Sequence, residues 1–200
     1  MPELSAKVLA RARRMEEKHA ARRDVIVAAA KSEFAASGLS GTTMRGIASA
    51  AGMTTGSIYP YFATKDELYG KVLEDTLVDL QAFVSQRMDE AGNEHRARAA
   101  MTAFFEFYET RPDDLALGLY LYDGIGRSGL NPELDVQLNA QLRGIFDSIS
   151  DAYKADGHVN SEQVTANGVS HAVGLLVMER TGRLKLFGQT AKALFQASLI

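Results

Sequence analysis

Residues 22–68 read RRDVIVAAAKSEFAASGLSGTTMRGIASAAGMTTGSIYPYFATKDEL. Three positions in this stretch decide its fold. Ala48, Gly52 and Ile58 stand where two short helices joined by a tight turn need a small residue at the crossing, a glycine in the turn and a branched residue in the core. Upstream, Ile26, Ala29, Ala30 and Phe34 recur at helical spacing and give a first helix one apolar face. Ile47, Ala48 and Ala51 face inward on the second helix, and Ile58 and Phe62 plug the centre. Gly52 takes a backbone conformation costly to other residues. The pattern is a three-helix bundle containing a helix-turn-helix.

The outward positions of the third helix are Thr54, Thr55, Ser57, Tyr59 and Tyr61. All form hydrogen bonds and most are short. Such side chains let a helix sit deep in a groove about 12 Å wide, the major groove of double-stranded DNA.

The rest of the chain also reads as helix, with apolar residues at spacings of three and four. A first helix is predicted from about His19 to Ser37, ending at Gly38 in the left-handed C′ position. Residues 1–18 either extend it or form a basic arm, and the sequence leaves both open. Thr64 opens a long helix through the capping box Thr64-x-x-Glu67. Its stripe is Leu68, Val72, Leu73, Thr76, Leu77, Leu80, Phe83, Val84 and Met88. Further helices are predicted near 94–110, 113–122, 132–154, 160–181 and 187–199, separated by proline and glycine breaks. The expected organisation is an extension or arm over 1–20, the helix-turn-helix domain over 21–68, and a larger helical domain over 69–200.

Zero cysteines exclude a disulfide scaffold, a thiolate metal site and a cysteine nucleophile. No apolar run approaches the roughly 20 residues that span a bilayer, and no signal-peptide pattern opens the chain, so a cytoplasmic protein is expected. The net charge of −3 is uneven. Residues 1–68 hold ten Lys/Arg against seven acids, and the remainder holds twelve against eighteen. A net of +3 beside −6 is the asymmetry expected when one end meets phosphates.

Three runs together resemble the DNA-binding domain of the TetR family of bacterial regulators. They are Phe34…Gly38…Thr42-Thr43, Ile47-Ala48-x-x-Ala51-Gly52, and Gly56-Ser57-Ile58-Tyr59-x-x-Phe62-x-x-Lys65-x-x-Leu68. The resemblance covers about a quarter of the chain. It implies an all-helical, homodimeric repressor that leaves a palindromic operator when a small effector binds the C-terminal domain. It also implies that Thr43, Tyr59, Tyr61 and Lys65 hold phosphates and that Thr54, Thr55, Gly56 and Ser57 approach base edges, with Arg45 in reach of either. Two residues depart from favourable helix chemistry. Pro60 ends the recognition helix early and removes a donor. Gly46, inside the second helix, costs roughly 1 kcal/mol relative to alanine.

The resemblance further implies an effector cavity in the later helices. Met101, Phe104, Phe105, Phe107 and Tyr108, with Tyr120 and Tyr122 beyond, are residues that line an apolar pocket or fill a core. Asn167 and His171, four apart on one helix face, are candidates for the polar end of such a pocket. Met101, Phe104, Phe107, Tyr108, Asn167 and His171 form the candidate effector set. The last two helices carry Ala166, Val173, Val177, Ala193, Leu194, Phe195 and Leu199. The resemblance makes Ala166, Val173, Val177, Leu194 and Phe195 a dimer interface, which sets two reading heads about 34 Å apart. A buried hairpin within one chain would show the same pattern.

Gly124-Ile-Gly-Arg-Ser-Gly129 matches a dinucleotide-binding fingerprint in letters only, because no βαβ unit surrounds it and Pro132 interrupts any helix from it. The four histidines, His19, His95, His158 and His171, are too scattered for a metal cluster. No catalytic residue, metal site or cofactor is expected. The competing reading is a helical small-molecule-binding protein or enzyme whose DNA-binding unit is vestigial, and Pro60 is the feature that favours it.

Overall fold

The computed structural model describes residues 2–92, 95–119 and 132–198. Helices α1 (Pro2–Gly41), α2 (Met44–Ala50), α3 (Thr55–Ile58) and α4 (Lys65–Ala91) are followed by α5 (Arg96–Glu109) and α6 (Pro112–Gly118). Helices α7 (Pro132–Ala155), α8 (Ser161–Arg180) and α9 (Ala191–Ser198) complete it, with a 3-10 turn at Arg183–Phe187. The fold is all-helical, with no strand among the described residues. The readings at Tyr120, Tyr122, Gly124–Gly129 and Leu199 lie outside those residues. Two compact units divide the chain, residues 2–72 and residues 73–119 with 132–198, and the boundary falls inside α4.

In the first unit, α1 is longer than its apolar pattern. Helix begins at Pro2, so the extension is helical, and the predicted core helix is its C-terminal half. Ile26, Ala30 and Phe34 are wholly buried there, with Ile47, Ala48, Ile58 and Phe62, whereas Ala29 and Ala51 are half-buried. Gly38 has the positive φ that its position demands, but its ψ of 178° is not left-handed helical. The chain kinks there and makes one more helical turn to Gly41, in a region of backbone space essentially closed to other residues.

The carbonyls released at this kink need partners. The Thr42 hydroxyl donates to Gly38 O at 2.7 Å and Glu33 O at 3.0 Å. The Lys65 ammonium donates to Thr42 O at 3.0 Å and to Leu39 O.

Gly52, at φ 68°, makes the turn between α2 and α3, and a Cβ built there meets nothing within 4 Å. Sterics are therefore free, and only the backbone penalty remains. Gly52→Ala is expected to destabilise the first unit by about 1–2 kcal/mol, read as a lower urea midpoint at constant m-value.

The long helix starts as its capping box predicts, with one change of partner. Glu67 N donates to Thr64 Oγ1 at 3.1 Å, while Glu67 Oε2 reaches past the cap residue to accept from Ala63 N at 2.8 Å. The α4 stripe from Leu68 to Met88 is buried throughout except at half-buried Phe83.

In the second unit, α5 packs against α6, α7 and α8, and α7 and α8 form a hairpin. A Cβ at Gly168 would stand 2.8 Å from Met101 Cε, so α8 approaches α5 closely at this glycine. The Phe105 ring stacks on Phe195 at 4.2 Å and 7°, which fastens α9 to α5.

Candidate nucleic-acid interface

The turn α2–α3 presents a face whose polar groups are held by short-range contacts. Thr43 is the N-cap of α2 and its hydroxyl oxygen accepts from Gly46 N at 3.0 Å. The hydroxyl proton is left for an outside acceptor. Gly46 is thus in the first turn, and a Cβ there would stand 3.2 Å from Glu33 Oε2 and 3.4 Å from Thr43 Oγ1. The closer of these atoms ends a flexible side chain that can shift by a few tenths of an ångström, so packing alone does not demand the glycine.

Thr54, the residue before α3, shares its hydroxyl with Ser57 Oγ at 2.9 Å, and Ser57 Oγ donates to Thr54 O at 2.7 Å. The pair is fixed as a unit beside exposed Gly56 and half-buried Thr55. On the opposite side of the same turn of helix, Ile58 is wholly buried. Tyr59 is 51% exposed, although it is a large aromatic. Helix ends at Ile58, as the missing N–H of Pro60 requires, and the backbone turns through Tyr61 N→Ile58 O at 2.8 Å.

Tyr61 is half-buried because His19 stacks on it, with centroids 4.4 Å apart and planes at 30°. Sequence spacing carries no signal for this contact, since the partners lie in different elements. Arg45 is exposed on α2. Lys65 is placed differently from a free phosphate ligand: two of its three N–H bonds are directed at the Leu39 and Thr42 carbonyls.

The candidate effector residues do not come together as one group. Met101, Phe104, Phe107 and Tyr108 are buried on α5. Phe104 packs on Tyr108 at 5.3 Å and Phe146 at 6.0 Å, and Phe107 meets Phe83 at 5.9 Å. Burial, with the Asp114 carboxylate second, pushes the Tyr108 phenol well above its ordinary range, so it stays protonated. Asn167 and His171 instead sit in exposed positions on α8. They miss the aromatic group because α8 turns Thr165, Ala172, Leu175 and Leu176 inward.

The proposed dimer residues also separate. Ala166, Val173 and Val177 share one side of α8 flanking its buried residues, Ala166 exposed and the two valines half-buried. Leu194 is half-buried on α9, and Phe195 is 2% exposed within its own chain. Its stack on Phe105 takes Phe195 out of any surface a second copy can touch. Among the described residues no group of three or more His, Cys, Asp or Glu is placed to hold a metal. No helix of the described residues is long and apolar enough to cross a membrane.

An all-helical protein that exposes this turn on a buried three-helix core is a helix-turn-helix DNA-binding protein. The family model for bacterial regulatory proteins of the TetR family matches residues 26–72, so this segment is similar throughout to the DNA-binding domain of that family. It is similar to the HTH-type transcriptional repressor KstR2 of Mycolicibacterium smegmatis, at 29% identity over 181 residues, 72% of this chain and 85% of that protein. It is also similar to the HTH-type transcriptional activator FasR of the same organism, at 31% identity over 130 residues, 64% of this chain and 59% of FasR. Among solved structures, the TetR family regulator PfmR from Thermus thermophilus shares the fold, with a TM-score of 0.69 at 17% identity, covering 87% of this chain and 94% of PfmR. The protein is a DNA-binding transcriptional regulator of a non-enzymatic family.

Proposed function

We propose that the protein is a cytoplasmic homodimeric repressor that leaves a palindromic operator when a small effector binds the second unit. The observation that carries this reading is the exposure of Thr54, Gly56 and Tyr59 on the short turn of helix whose inner residue, Ile58, is wholly buried. A solvent-facing row of hydroxyls, a glycine and a tyrosine has no packing role, and it suits the edges of base pairs and the phosphates beside them. Thr55 and Ser57 join the base-facing set, while Thr43, Arg45, Tyr59 and Tyr61 take phosphates. Lys65 supports that set from behind by holding the carbonyl end of α1, with one N–H left over.

The mate would sit on the side of α8 along Ala166, Val173 and Val177. A groove of about 330 Å³ between α7 and α8 borders this side, with Phe146, Ala166 and Val169 in its wall. The buried Thr165 hydroxyl in the same groove has no hydrogen-bond partner among the described residues.

The effector would bind near Phe104, Phe107 and Tyr108 and would act by preferring one of two states of the protein. KstR2 is named a repressor and FasR an activator, so repression here is part of the proposal.

Fluorescence anisotropy against the protein's own upstream region tests the reading. Affinity is expected to exceed that for a scrambled duplex by about 10³-fold or more, and to fall steeply with salt. Equal affinity for both duplexes would refute it.

A further inference from the structure

The N-terminal part of α1 is unexplained by packing. Every residue from Val8 to Arg22 is exposed, yet the charges on this segment are ordered. Arg11, Arg14, Lys18 and Arg22 follow one another at spacings of three, four and four. At 3.6 residues per turn these fall within a ribbon about 80° wide. Glu16 and Glu17 lie off the ribbon, and Glu17 pairs with Arg13, also off it, at 2.9 Å. Among the described residues, none of the four ribbon cations forms an ion pair.

The ribbon's end adjoins the reading head. His19 stacks on Tyr61, and Lys18, Arg22 and Tyr61 border one open groove of about 520 Å³, with Glu16 on its far side. Val8 and Met15 are exposed on one side of the same segment, seven residues apart and bordering the ribbon, while exposed Leu9 points about 100° away, so they make no continuous apolar stripe. Charge defines this surface.

We propose that the ribbon is a second DNA-contacting element, binding the phosphate backbone of the duplex beside the segment occupied by Thr54–Tyr61. The proposal rests on the DNA-binding reading of that segment. From Arg11 to Arg22 the helix rises about 16 Å, on the order of five base pairs of duplex. Guanidinium groups fork onto phosphate oxygens and carry no base information, so the contact adds sequence-independent affinity.

The test uses the full chain carrying Arg11→Gln, Arg14→Gln and Lys18→Gln, and a fluorescein-labelled duplex of arbitrary sequence. Glutamine is nearly as good a helix former as arginine or lysine, and circular dichroism checks that helix is retained. The slope of log K against log salt is expected to become shallower by about 2.7, that is 0.9 for each of three lost phosphate contacts. Affinity near 0.1 M salt then falls by on the order of 10²-fold, by the same factor on operator selected from a random pool. The charge-preserving pair Arg11→Lys and Arg14→Lys keeps the wild-type slope, as does Arg13→Gln on the other side of the helix.

An unchanged slope in the triple variant, while the wild type still binds DNA, overturns the ribbon, as does an equal loss from Arg13→Gln. A wild-type chain that binds no duplex at all removes the underlying reading instead.

Discussion

Changing Val173 and Val177 to aspartate together is expected to give a folded monomer whose operator affinity is lower by about 10²–10⁴-fold. Both residues are half-buried on a side of α8 that flanks its buried face of Ala172, Leu175 and Leu176. In the isolated chain this half-burial makes each aspartate cost more than the roughly 0.5 kcal/mol of a fully exposed site, and circular dichroism checks that the variant is folded. In a twofold interface each aspartate would meet its symmetry mate's equivalent region, lose apolar contact and face like charge.

The loss of affinity follows from linkage. Two heads on one dimer bind the second half-site at a high effective concentration, and that factor disappears when the mate is gone. Sedimentation velocity reads the oligomeric state and anisotropy reads the affinity. A double variant that remains dimeric would move the interface off this side of α8.

The parts of the fold that were legible in the sequence are those decided within a few residues. Thr43 caps α2 through Gly46 N, and Thr64 caps α4 through Glu67 N, each three residues on. The core of the first unit, from Ile26 to Phe62, follows helical spacing because each helix there is amphipathic and packs on one side. The polar row from Thr54 to Tyr61 is legible for the same reason: the third helix wholly buries only Ile58, with Thr54, Gly56 and Tyr59 exposed and Thr55, Ser57 and Tyr61 half-buried.

What stayed hidden depends on partners far along the chain. Lys65 has no local feature that marks it as a donor to carbonyls 23 and 26 residues upstream. His19 on Tyr61 and Phe105 on Phe195 are meetings of distant segments.

Helix α8 defeated periodicity for another reason. Its apolar residues spread around much of the helix, with Leu175 and Leu176 buried and Val173 and Val177 half-buried beside them, so pattern alone cannot say which side holds Asn167 and His171. Gly168 marks the inner side, but only once Met101 is seen against it. Phe195 looked like an interface residue because a short amphipathic helix presents the same pattern to its own chain as to a mate.

Phe62→Ala is expected to produce the reverse defect, a protein that keeps its mate and loses its reading head. The ring is wholly buried, and the Arg23 guanidinium lies 4.8 Å from its centroid. Removing such a side chain costs about 3–5 kcal/mol, because little can collapse into the space left between three helices. A domain's whole stability is on the order of 5–15 kcal/mol, so a first unit built from residues 2–72 loses a large share of it.

The backbone consequence is local as well. Phe62 N donates to Ile58 O at 3.1 Å in the turn that closes α3, and this turn holds Tyr59 and Tyr61 in place. Without the ring as anchor, α3 and its flanking tyrosines populate open states, and operator binding is lost together with its salt dependence. The second unit has its own buried set, including Phe104, Phe105, Phe107, Ile145, Ile149 and Phe195, none of which involves residue 62.

Hydrogen exchange separates the outcomes by element. Amides of α2, α3 and the core half of α1 are expected to lose protection, while those of α5, α7 and α8 keep it and sedimentation still reports a dimer. A uniform loss across all helices would instead mean that the chain unfolds as one cooperative body, and the assignment of reading and pairing to separately stable units would then have to be abandoned.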